Sequence, residues 1–204
     1  MTVTHTISRR ESILQAALAA FSSVGYESTS IEDICATAPA SVGSFYHHFG
    51  SKDGVAAALV TAAVDQFQEG MQAALAEPLS PRAMVSILVS SHLTWVRDNE
   101  LWARYLLQMG AAPATAAAQP AVRQKNRSLV AAIEAWSAPV IEQGVIVPLH
   151  PTALLAQILG PSYFVSRAWL AGGPEITDQL IGQFSDAAWR SVQLEEVPGA
   201  TRLR

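Results

Sequence analysis

A single cysteine, Cys35, stands in 204 residues, so no disulfide can close within the chain and a cysteine-built metal site is excluded with it. Charge is sparse too. Asp, Glu, Lys and Arg make up 15% and the formal net charge is −4, which leaves no strongly basic body of the kind that holds nucleic acid by bulk electrostatics. Half the residues are hydrophobic, yet no run of 18 escapes polar interruption, and nothing is expected to span a membrane. Met1-Thr-Val-Thr-His5 has neither a charged nor an apolar leader region, so a cytoplasmic protein is expected. Gly-x-Ser-x-Gly, His-Glu-x-x-His, a Gly-rich phosphate loop and a carboxylate pair are missing, which leaves no catalytic residues to nominate and no cofactor to bind. Strand-like alternation is missing as well, and the chain reads as all-α.

Helical periodicity starts early. Ile13, Leu14, Ala17, Leu18 and Phe21 form one stripe, with Arg9, Arg10, Glu11 and Gln15 opposite. Gly25 follows where a helix end wants a residue tolerant of positive φ. Ser30-x-x-Asp33 reads as an N-cap with an acid in the first turn, and Ser51 before Lys52 is another cap. Three short helices then pack around Leu18, Phe21, Ile34, Phe45 and Phe49, and Cys35 falls among them as a small buried hydrophobe. A short amphipathic segment, Ser30–Ala36, a brief turn, and the donor-rich stretch Ser41–Gly54 give the frame of a helix-turn-helix.

At these residues the chain resembles the TetR family of transcriptional regulators: Phe21 to Tyr26, Thr29 to Ala36, and Gly43-Ser-Phe-Tyr-His-His-Phe-Gly-Ser-Lys52 follow the family's order. The specific match covers roughly residues 9 to 60. The resemblance implies a helix-turn-helix domain over 1–52, a helical effector-binding and dimerisation domain over 53–204, and a total of about nine helices. It also implies a homodimer on double-stranded operator DNA, most simply a repressor released by a small-molecule effector. The expected DNA contacts are Thr29, Ser41, Val42, Gly43, Ser44, Tyr46, His47, His48 and Lys52. Gly43 admits a close backbone approach, Tyr46 and His47 reach phosphates or base edges, and the Lys52 ammonium sits on a phosphate. His47 and His48 point about 100° apart on a helix, which argues against a metal site.

Two features cut against the pattern. Residues 1 to 55 hold three basic side chains (Arg9, Arg10, Lys52) against five acidic ones (Glu11, Glu27, Glu32, Asp33, Asp53). Pro39 stands in the turn where the family usually has Gly, and proline cannot take positive φ. A tighter or 3₁₀-like turn is expected instead, with Ala38 extended and Ser41 capping the next helix. Should the altered turn abolish recognition, the alternative is a helical small-molecule-binding module without DNA binding.

Beyond Lys52 the helical pattern continues over about 52–76, 81–98, 100–109, 120–143, 152–171 and 175–194, with Gly110–Gln119 read as a mobile connector and Pro139 as a kink. Phe67, Met71, His92, Trp95, Trp102, Met109, Trp136 and Tyr163 are candidates to line an effector site, with Asn126 a polar anchor beside His92. Tyr105 adds a further aromatic to that stretch, and the low charge there favours an apolar or aromatic effector. Leu155, Ile158, Ser162, Trp169, Leu180, Phe184 and Ala188 follow helical spacing on the last two segments and are the candidate dimer seam.

Overall fold

The computed structural model describes residues 8–194; the reading of Met1–His5 concerns residues outside that range. Among the described residues there are nine α-helices: α1 (Arg9–Val24), α2 (Ile31–Thr37), α3 (Val42–Phe49), α4 (Lys52–Leu75), α5 (Pro81–Asp98), α6 (Glu100–Met109), α7 (Gln119–Glu142), α8 (Pro151–Leu170) and α9 (Asp178–Val192). No β-strand occurs among them, only an isolated antiparallel bridge between Ile146 and Gln193. Among the described residues no helix is long and apolar enough to cross a membrane.

The chain divides into two compact units that interleave in sequence. One holds the described residues through Gln68 together with Val96–Asn126; the other holds Glu69–Trp95 together with the described residues from Arg127 onward. The first unit therefore takes in more than the expected 1–52.

In the first unit, Ile13, Ala17, Leu18, Phe21, Ile34, Phe45, Val55 and Leu59 are buried in one cluster, and Phe49, Trp102 and Met109 pack on its margin. Tyr105 closes it from α6: the ring stacks on Phe21 at 6.2 Å and the hydroxyl donates to the carbonyl of Ala56 at 3.0 Å. Burial pushes that phenol well above the usual tyrosine range. Cys35 is buried as expected and burial raises its thiol as well, which keeps it protonated. The Gly110–Gln119 segment, expected as a mobile connector, carries regular structure. Its alanines form a 3₁₀ helix, Pro113–Ala118, held because the fully buried Thr115 hydroxyl lies 2.7 Å from the carbonyl of Met109 and 2.8 Å from that of Ala112. The Gln119 amide closes the loop on the carbonyl of Gly110 at 2.7 Å.

The second unit is built on the buried stripes of α5, α8 and α9. Met84, Val85, Leu88, Val89 and Leu93 face inward from α5; Leu154, Ile158, Leu159 and Leu170 do so from α8, and Ile181, Ala188 and Val192 from α9. Proline interrupts two helices, Pro139 in α7 and Pro161 in α8, each removing one ladder donor. Arg82 pairs with Asp186 at 2.8 Å on the surface, worth little in solvent.

The turn between α2 and α3 departs from expectation. Ala38 is not extended but caps α2 at φ −82°, ψ 5°, and Pro39 takes φ +28°. The amide of Ala40 reaches back to the carbonyl of Cys35 at 3.2 Å, the long hydrogen bond of a left-handed helix cap. The turn thus keeps the geometry a glycine would give, with a proline that has no amide for the cap's second bond and a ring that opposes its own φ.

Candidate nucleic-acid interface

The two helices that would meet DNA are short, so their ends carry much of their local definition. Ser30 and Asp33 form a full capping box on α2: the Asp33 amide donates to Ser30 Oγ at 3.1 Å, and the Ser30 amide and hydroxyl donate to Asp33 Oδ2 at 3.0 and 2.6 Å. Those bonds hold the Asp33 carboxyl below the usual carboxylate range, the Ser30 hydroxyl contributing most. Ser41 caps α3, its oxygen accepting from the amide of Ser44 at 3.1 Å, and Gly50 ends the helix at φ +71°.

On α3, Phe45 is completely buried while Ser41, Val42, Gly43, Tyr46, His47 and His48 stand exposed, Tyr46 at 51%. Ser44 is half-buried. One face of the helix is therefore spent on the core and the other presents hydroxyl, phenol and imidazole groups outward. A Cβ added at Gly43 would meet only Ser41 Oγ, at 4.0 Å, so nothing inside the molecule demands glycine there. The open space suits the close approach of an external backbone.

Two of the expected contacts have other work. Thr29 is 2% exposed and its hydroxyl donates to the carbonyl of Gly25 at 2.8 Å, so it closes the connector after α1 instead of facing outward. Lys52 Nζ donates to the carbonyls of Tyr26, Glu27 and Thr29 at 3.0, 3.3 and 3.0 Å and lies 4.5 Å from the centre of the Tyr26 ring. All three of its protons are used, and the reading of Lys52 as a phosphate contact gives way to that of a clamp between α4 and the α1–α2 connector. Tyr26 completes the knot by donating its hydroxyl to Asp53. Desolvation first, and the Asp53 carboxylate second, push that phenol well above the usual range and keep it a donor.

The basic residues missed by motif matching are Arg9 and Arg10, at the start of α1. Arg9 Nη1 donates to the carbonyl of Pro39 at 3.0 Å, and the Arg10 guanidinium lies 5.4 Å from the centre of the Phe49 ring. The fold thus brings both cations beside α3 and its turn, a placement to which their position on the polar face of α1 was the one sequence clue. Asp33 and Asp53, by contrast, are engaged by Ser30 and Tyr26.

The profile described as bacterial regulatory proteins, tetR family, matches residues 13–59, which span α1, α2, α3 and the start of α4. Residues 13–59 are a TetR-family domain. The regulator UidR of Escherichia coli K12 is 39% identical over 82 residues, 40% of this chain and 40% of that protein, and UidR of Shigella flexneri matches over the same share. The chain thus matches about two fifths of the length of these relatives. Solved TetR-like structures follow the whole fold. A TetR family transcription regulator from Marinobacter aquaeolei VT8 is 19% identical with a TM-score of 0.73, over 91% of this chain and 95% of that one. The fatty acid degradation regulator FadR from Bacillus halodurans is 16% identical with a TM-score of 0.73, over 89% and 94%. The ketosteroid transcriptional regulator KstR2 of Mycobacterium tuberculosis is 20% identical with a TM-score of 0.68, over 92% and 96%. At these identities the likeness is one of fold. The matched profile is one of bacterial regulatory proteins, and in this chain it covers the helix-turn-helix.

The remaining candidates separate. Phe67, Trp102 and Met109 belong to the first unit; Met71, His92, Trp95, Trp136 and Tyr163 belong to the second. Trp102 and Met109 pack on the helix-turn-helix core, and Asn126 accepts from the amide of Gln68 at 2.8 Å, so these three serve the first unit's own packing. Met71 is fully buried, while Trp95 and Trp136 are half-buried. Of the seam residues, Ile158, Ser162 and Ala188 are buried within the second unit and cannot face a partner; Leu155, Trp169, Leu180 and Phe184 are half-buried. Phe164, which the spacing argument passed over, is 75% exposed on α8.

If Lys52 is a clamp, Lys52→Met should lower stability by about 1.5–3 kcal/mol, the worth of hydrogen bonds to a charged group, and leave the salt dependence of DNA binding unchanged. Chemical denaturation and a binding titration at several salt concentrations measure the two effects; a salt slope reduced by about one, with stability intact, would restore the phosphate contact.

Proposed function

We propose that this chain is a homodimeric, DNA-binding regulator of transcription that acts as a repressor in the cytoplasm and leaves its operator when a small apolar or aromatic effector binds. The observation that carries the reading is α3: a capped helix with Phe45 wholly buried, Tyr46 half in solvent, His47 and His48 exposed, and an unobstructed surface at Gly43. That is the arrangement in which a recognition helix enters the major groove while its inner face stays in the core. Ser41, Val42, Gly43, Ser44, Tyr46, His47 and His48 form the DNA face, with Arg9 and Arg10 flanking it in place of Thr29 and Lys52. Residues 1–52 are its reading head, completed by the α4, α6 and α7 residues of the same compact unit.

One helix-turn-helix reads too few base pairs alone, so two copies are needed. The outward faces of α8 and α9 carry Ala153, Ala156, Gly160 and Phe164, and Leu180, Phe184 and Ala187. Small residues allow close approach of helices, and Phe164, 75% exposed, adds a large apolar side chain to the same stripe. This stripe, rather than Ile158, Ser162 and Ala188, is the pairing seam. Met71, Trp95 and Trp136 are apolar or aromatic and at least half-buried, which suits an apolar effector, and FadR and KstR2, whose names refer to fatty acid degradation and to ketosteroids, share the fold. Such a molecule would lower DNA affinity by the margin with which it prefers the DNA-incompetent arrangement.

Tyr46→Ala should weaken binding to the DNA upstream of the protein's own coding sequence by about 1–3 kcal/mol if a base contact is lost, and unaltered affinity in a titration would remove α3 as the reading helix. Phe164→Glu, at a position exposed in the single chain, should leave the fold intact and convert the dimer to monomer in sedimentation at micromolar concentration. A wild type that sediments as a monomer there would overturn the pairing.

A further inference from the structure

The second unit keeps a polar cluster inside its apolar core. His92 of α5 is 1% exposed among the fully buried Leu88, Val89 and Leu93, and its Nε2 lies 3.0 Å from Ser166 Oγ of α8. Ser162, also 1% exposed, stands one helical turn before Ser166 on the same inward face. The Tyr163 ring meets the His92 ring edge-on at 4.3 Å. Serines buried in helices commonly spend the hydroxyl on a carbonyl of the preceding turn, as Ser185 does on Ile181 at 2.9 Å. Ser162 Oγ does not: it is buried with no hydrogen-bond partner. A buried hydroxyl in that state is costly, which makes it a place where a further hydrogen-bonding group would be held.

We infer that Ser162, with Ser166 and His92 beside it, is the polar end of the effector site, and that it receives the single hydroxyl or carbonyl oxygen of an otherwise apolar, uncharged molecule. The inference rests on the effector reading above and specifies its chemistry. A serine hydroxyl can donate to a carbonyl or accept from an alcohol, so either group satisfies Ser162. A carboxylate would not be satisfied. The cluster offers hydroxyls and an imidazole whose pKa burial pushes down to about 4, so it holds no positive charge at neutral pH to offset a buried anion. Desolvation likewise pushes Tyr163 up to about 12, which keeps its phenol neutral. The cluster thus carries no charge at neutral pH, lies among apolar side chains and leaves Ser162 Oγ without a hydrogen bond.

The test uses three probes on one ring system, 2-acetylnaphthalene, 2-naphthoate and naphthalene, with the full-length protein and its Ser162→Ala variant. Thermal melting and calorimetric titration are the readouts. Ser162→Ala removes an unsatisfied group, so the variant should fold at least as stably as the wild type. 2-Acetylnaphthalene should raise the wild-type melting temperature and bind about three- to tenfold more weakly to Ser162→Ala, the worth of one net hydrogen bond, while naphthalene binds both proteins alike. 2-Naphthoate should bind the wild type at least tenfold more weakly than the ketone. Equal affinity for ketone and carboxylate, an unaffected Ser162→Ala variant, or no stabilisation by the ketone up to its solubility would each overturn the site. Repeating the DNA titration with saturating ketone separates the two readings. Unchanged DNA affinity would sink release by effector and leave the site standing, whereas a ketone that binds a protein unable to hold DNA would sink the regulator reading alone.

Discussion

A helix of eight residues has no stability of its own in water, because nucleating it costs more than its few hydrogen bonds return. α3 therefore exists as a helix only while something else holds it, and that holder is Phe45. Its ring is wholly buried in the first unit's core, with Phe49 tilted against it at 5.7 Å. The outward positions on α3 inherit their direction from this one inward anchor. Arg9 braces the adjoining turn and Lys52 ties α4 to the loop before α2, so the exposed groups of α3 are positioned by contacts made within the molecule. Core and reading surface are two faces of the same two turns of helix.

Much of this was legible in the sequence because the signals are local. Periodicity gives α1, Ser30-x-x-Asp33 gives a capping box, and Ser41 and Ser51 announce the starts of α3 and α4 within a residue. The roles of Thr29 and Lys52 were not legible. Both match the family's pattern, yet what a side chain does depends on which carbonyls the fold brings within 3 Å, and connector carbonyls leave no trace in a motif. Pro39 shows the same limit from the other side. Intrinsic preference favours an extended Ala38, but the packing of α2 and α3 fixes the turn and the proline conforms at a cost.

The second unit was harder to read for a different reason. Periodicity locates the buried stripe of a helix but cannot say whether the stripe is covered by the same chain or by another copy. Ile158, Ser162 and Ala188 share helical spacing with residues that face outward, and burial alone separates them. The connector Gly110–Gln119 failed on composition: a run of alanines looks featureless, yet one buried threonine, Thr115, is enough to order it.

The interleaving of the two units has a consequence for synthesis. A ribosome delivers the chain from its N-terminus, and the helix-turn-helix segments emerge first, but Tyr105, whose ring covers Phe21 and whose hydroxyl closes on Ala56, arrives only after the α4 and α5 segments have been made. The nascent reading head spends that interval with part of its core uncovered. No continuous fragment ending near residue 52 contains Tyr105, so the smallest piece with this core complete is set by where Tyr105 lies rather than by where the motif ends.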